Sequence, residues 1–120
     1  MPTPAPIEAL AAAINAGDYD AFVALFAPDG LVNDWGNIRR GPDGVRSWAH
    51  TDAIGAGARM TLRSAVPVPP APADVHPPVP SQAHSPYEIR FDWVSRVFTG
   101  DGHGFVTLRD GLITELRLVE

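Results

Sequence analysis

The chain contains no cysteine and no lysine. Without thiols it has no disulfide scaffold, no thiolate metal site and no cysteine nucleophile. Without lysine its strong cations are nine arginines, set against fourteen acidic residues for a formal charge of −5. That balance argues against nucleic acid or an anionic membrane surface as the main partner. No apolar run approaches the roughly 20 residues that a membrane span requires. The opening Met1-Pro2-Thr3-Pro4-Ala5-Pro6 has neither the basic start nor the apolar core of a secretory leader, so a soluble cytoplasmic protein is expected. Arginine without lysine, with abundant Ala, Gly and Pro, suggests a GC-rich bacterial coding sequence.

What the chain does have is 120 residues, 45% of them hydrophobic, and thirteen prolines. The length suits one domain over residues 1–120 with its own core. Three prolines fall in the first six residues, which predicts a frayed arm. Eight fall between Pro67 and Pro86. Repeated proline removes backbone donors and holds the preceding residue extended, so neither a helix nor a central strand is expected there. The stretch reads as a polyproline-like insertion at 67–86 inside one domain, folding over a sheet edge, a pocket entrance or a dimer partner.

Before the insertion the pattern is helical. Ile7, Leu10, Ala11 and Ile14 recur at helical spacing and stop at Gly17. Asp18 can cap a second helix carrying Phe22, Val23, Leu25 and Phe26, ended by Pro28-Asp29-Gly30. Leu31 to Trp35 reads as a short strand, and Gly41-Pro42-Asp43-Gly44 opens a third helix bearing Val45, Trp48 and Ala49. Afterwards strands dominate. Arg59 to Val66 is one and Tyr87 to Phe98 a longer one, followed by a turn at Thr99-Gly100-Asp101-Gly102. A hairpin of His103–Arg109 and Leu112–Val119 closes around Asp110-Gly111. Helices first and antiparallel strands last imply an α+β domain.

Several segments resemble a known family. Leu10 through Asp29, with Asn15-Ala16-Gly17-Asp18 and Ala24-Leu25-Phe26-Ala27, then Val32-Asn33-Asp34 and Arg40-Gly41, is similar to NTF2-like proteins. The nearest branches are the ketosteroid isomerases and the SnoaL-like polyketide cyclases. The resemblance implies a cone: three N-terminal helices packed on a strongly curved, mostly antiparallel sheet that encloses one apolar pocket. It also implies a homodimer through the sheet and a hydrophobic small molecule as ligand.

In the isomerase pattern the acid of the first strand is the general base, and Asp34 matches it. A carboxylate in an apolar cone loses the water that stabilises its anion and becomes a better proton acceptor. Phe22, Phe26, Trp35, Trp48 and Met60 would help line such a pocket. The alternative is that Asp34-Trp35-Gly36-Asn37 is simply turn chemistry. The family's oxyanion-hole tyrosine falls at Leu10 and its protonated aspartate near Gly104, with His103 the only polar neighbour. Steroid isomerisation is therefore not expected, because an enolate would lack its donors.

Limonene-epoxide-hydrolase-like members use an Arg-x-Asp on one strand, which Arg90 and Asp92 match, but their last-strand acid falls here at Leu118. The row Tyr87, Ile89, Phe91, Trp93 would ordinarily face the core and leave Arg90 and Asp92 in water. An outward apolar row at a dimer interface is the other possibility. His50 and Asp52 close the third helix and could place an acid–base pair at the pocket mouth. The four histidines have no metal-ligand spacing, and no phosphate loop, dinucleotide fingerprint or nucleophile elbow occurs. A cofactor-free acid–base enzyme (isomerase, cyclase, dehydratase or epoxide-opening) is the leading expectation, and a non-catalytic binding or dimerisation module the rival.

Overall fold

A computed structural model describes residues 3–68 and 85–119. Helix α1 spans Ala5–Ala16, with Ile7, Leu10, Ala11, Ala13 and Ile14 buried along one face. It starts earlier than the prolines suggested, because Pro6 stands in the first turn, where a missing N–H costs nothing. Gly17 closes α1 at φ 70°, a left-handed conformation suited to glycine. The Asp18 side chain then accepts from the Ala21 N–H at 3.0 Å and starts α2, Tyr19–Ala24.

The expected continuation of α2 through Phe26 does not occur. Phe26 opens β1 (Phe26–Asp34), because its backbone pairs with Ile113 at the far end of the chain. Pro28-Asp29-Gly30 is therefore not a loop but an irregularity within that strand, where the register shifts between Phe26 and Leu31. Only glycine fits at position 30, since a Cβ there would lie 2.8 Å from the Ile113 carbonyl oxygen.

The short β2 (Asn37–Arg40) folds back on β1, and α3 (Gly41–Asp52) follows, with Val45, Trp48 and Ala49 buried. A single 3₁₀ turn, Ile54–Ala56, leads to β3 (Arg59–Pro67). Beyond the insertion come β4 (Ser85–Val94), β5 (Thr99–Arg109) and β6 (Leu112–Val119). The turn between β4 and β5 lies at 95–98, where the Ser95 N–H donates to the Phe98 carbonyl at 2.9 Å. The expected turn at Thr99–Gly102 is instead the start of β5.

One sheet results, in the order β2-β1-β6-β5-β4-β3. It is antiparallel except between β1 and β6, which run parallel. The three helices cover its inner face, and the core forms between them from Ile7, Leu10, Phe22, Val32, Trp48, Ile89, Val106 and Ile113 among others. The expected α+β architecture of three N-terminal helices packed on a mostly antiparallel sheet stands, and the sheet is open.

Most of the proline-rich stretch lies outside the described residues. Its two ends do not. Pro67 pairs with Tyr87, and Pro86 is in β4 opposite Thr107, so these prolines belong to strands. Among the described residues no helix is long and apolar enough to cross a membrane.

Candidate functional site

At the end of the sheet where β1 and β6 finish, a cavity of about 530 Å³ opens between α3 and the strands. Trp48, Phe91, Trp93, Phe98 and Leu118 supply apolar wall, Asp34 and Asp52 supply carboxylates, and Trp35 stands at the surface, 63% exposed.

Asp34 reaches this place because the hairpin turn is built without it. Trp35 (φ 55°) and Gly36 (φ 92°) are the two central residues between paired Asp34 and Asn37. Positive φ at both positions is the geometry that joins tightly twisted strands. The bond that closes the turn comes from Asn33, whose Oδ1 accepts from the Gly36 N–H at 2.8 Å. The Asp34 carboxylate is left for the inner face, half-buried, where its Oδ2 accepts from the Trp48 indole Nε1–H at 3.0 Å. Its Oδ1 has no hydrogen-bond partner among the described residues.

Trp48 is itself fixed from behind. It is 1% exposed, stacks on Phe22 with ring centres 5.9 Å apart, and meets Trp93 at 6.3 Å. Phe22 in turn contacts Phe26. An aromatic column thus runs from the core to the cavity wall, and it holds the indole donor in one orientation. Phe22, Phe26 and Met60 belong to the packed interior behind that wall and do not border the cavity.

The floor is made by β5. Gly102 pairs with Phe91, and a Cβ at position 102 would sit 2.2 Å from the Phe91 ring, so the ring lies on bare backbone. The acid expected near Gly104 has no room either: a Cβ there would approach the Arg117 carbonyl oxygen to 2.5 Å.

The strand-facing question has a definite answer. Ile89, Phe91 and Trp93 are buried against the helices, so alternation turns Arg90 and Asp92 to the outer face. Asp92 is bound there by Arg63 of β3, Oδ2 to Nε at 2.8 Å. That hydrogen bond holds the Asp92 carboxyl below the usual carboxylate range and raises the Arg63 guanidinium further. The inward Arg90–Asp92 pair expected by analogy with epoxide hydrolases is thus corrected. Arg90 borders the cavity, yet its guanidinium lies 3.7 Å from Glu88. His103 also borders it, with Nε2 bonded to the same Glu88 carboxylate.

His50 is exposed, bonded through Nδ1 to the Tyr19 hydroxyl at 3.2 Å, and does not reach the cavity. Asp52 does, while accepting from Thr51 Oγ1 at 2.8 Å. Sequence reasoning placed neither Phe91, Trp93 and Phe98 nor Leu118 in the site. The alternation from Tyr87 to Trp93 was the available signal for the first two. Among the described residues no group of His, Asp and Glu is arranged to hold a metal ion.

A family profile described as the SnoaL-like domain matches residues 7–116. The chain belongs to the SnoaL-like family. No curated protein matches this SnoaL-like chain in sequence. Solved structures show where its fold recurs. The orange carotenoid protein of Anabaena (Nostoc), described as binding canthaxanthin, matches with a TM-score of 0.77 at 14% identity, over 98% of this chain and 36% of that one. The SnoaL-like chain thus spans about a third of such carotenoid proteins. A protein of ketosteroid isomerase-like fold from Catenulispora acidiphila, in complex with trimethylamine, gives 0.69 at 22% identity over 99% and 87% of the two chains. The Δ5-3-ketosteroid isomerase of a Mycobacterium gives 0.67 at 20% identity over 97% and 90%. At these identities the likeness is one of fold.

Proposed function

We propose that this SnoaL-like domain binds a small, largely apolar molecule in its aromatic cavity and moves a proton with Asp34. The observation that carries this reading is the carboxylate itself. One oxygen is held by the Trp48 indole, and the other has no protein partner among the described residues beside the aromatic walls. A base held in one orientation at a bound substrate spends little on reorganisation before proton transfer. The fold neighbours are consistent with such a pocket: canthaxanthin is bound by one and trimethylamine accompanies another.

The reaction is of the isomerase, cyclase, dehydratase or epoxide-opening kind, with no cofactor invoked. It is not carbonyl isomerisation of the steroid type. Leu10 is fully buried in the core and Gly104 has no room for a side chain, so neither position supplies a donor to an enolate oxygen.

The test is a turnover assay with Asp34→Asn on substrates that first pass a binding screen. The amide keeps the shape and the acceptor for Trp48 but cannot take a proton. Turnover should fall about 100-fold or more, as loss of a general base usually costs, with ligand affinity little changed. Undiminished turnover would discard Asp34 as the base and leave the non-catalytic binding module in its place.

A further inference from the structure

The cavity has walls of one electrostatic character. Trp48, Trp93, Phe91 and Phe98 line it with aromatic rings, whose faces are negative. Asp34 and Asp52 also border it from the inner face, whereas Asp101 lies opposite Asp92 and faces outward, as does Arg90, the one guanidinium at its edge. Arg90 leans toward Glu88 on the outer face, and His103 is bonded to the same carboxylate. The Trp48 donor on Asp34 is neutral and leaves the carboxylate charge in place. Two of the donors at the cavity are already engaged: Trp48 Nε1–H by Asp34, and the Trp35 backbone N–H by the Leu118 carbonyl at 3.1 Å.

We infer that the cavity selects an organic cation, a protonated or quaternary amine on an apolar body, over a neutral or anionic molecule of the same shape. This rests on the reading of the cavity as a small-molecule site and names the class of molecule it takes. The apolar body packs on Leu118 and the exposed Phe98 ring, while the cationic head lies against the exposed Trp35 ring and the edge of Trp93, within reach of Asp34. An ammonium there gains the attraction of the Trp35 ring face and of the two inner carboxylates, Asp34 and Asp52. An anion would be repelled by the same carboxylates.

All three tryptophans of the chain border the cavity, so indole N–H signals in two-dimensional NMR report its occupancy directly. The full chain is titrated with benzyltrimethylammonium and, separately, with its uncharged carbon isostere neopentylbenzene. The expected result is cation binding tighter by about tenfold or more, with the Trp35 indole signal shifting most. The preference should vanish in Asp34→Asn/Asp52→Asn. Equal or tighter binding of the neutral isostere would overturn the charge selectivity and leave the pocket reading standing. Failure of both probes to move any indole signal would overturn the two together. The comparison on the unaltered chain decides the matter even if the double variant folds poorly.

Discussion

At the level of single residues, Trp35 is the bulkier of the two non-glycine residues held at positive φ among the described residues. A bulky side chain at φ 55° is costly, and nothing in the turn needs an indole there. The turn would rather read Asn-Gly. The exposed ring does stand at the cavity, which is where strain is commonly retained for function. Trp35→Asn should therefore stabilise the fold by about 1 kcal/mol while weakening ligand binding, as read by thermal denaturation with and without a cavity ligand. A variant that is both less stable and equally good at binding would contradict this account. Asp92 supports a second prediction. Its carboxyl is held below its ordinary value by the Arg63 hydrogen bond, so this contact favours the folded state above the unfolded-state pKa. The contribution is lost as pH falls through the folded-state value. Both groups are exposed, so the effect on stability is small. In Arg63→Met the Asp92 carboxyl should titrate at higher pH, visible in a carbon-detected NMR titration.

Elements were legible in the sequence wherever a local rule governed them. The face Ile7-Leu10-Ala11-Ile14, the Gly17 stop and the Asp18 cap follow from helix geometry alone, and each is where it was expected. Misreadings arose where a residue typical of turns answers to a distant partner. Gly30 is required by the Ile113 carbonyl and Gly102 by the Phe91 ring. Two glycines in Gly100-Asp101-Gly102 look like a turn until that ring is known to lie on them, whereas the real turn at 95–98 contains neither Gly nor Pro. The facing of β4 was similarly undecided in sequence, since both faces of a sheet can be used. Asn15 of α1 could not be found by pattern at all. It clamps the edge strand β3, accepting from the Met60 N–H at 2.7 Å and donating to the Met60 carbonyl at 2.9 Å. Asn15→Ala strands both groups and should cost about 1–3 kcal/mol in chemical denaturation.

Across the whole molecule, the parallel pairing of β1 with β6 determines what the chain must accomplish to fold. The strand nearest the C-terminus is central in the sheet, between β1 and β5. Until β6 arrives, the β1–β2 hairpin has an unpaired edge, and the β3–β4–β5 ribbon lacks the neighbour that ties it to the helices. Both halves of the cavity wall, Asp34 on one side and Phe91 on the other, are joined through Leu118 of that strand. The contacts it closes, such as Phe26 with Ile113, span most of the chain, and closing so long a loop is the slow step in folds dominated by non-local pairs. Leu116→Ala should accordingly slow refolding in stopped-flow experiments and leave the unfolding rate nearly unchanged. A ribosome making this domain holds a helical layer with an open strand edge until β6 emerges. That edge is the segment a nascent chain has most need to protect from its neighbours.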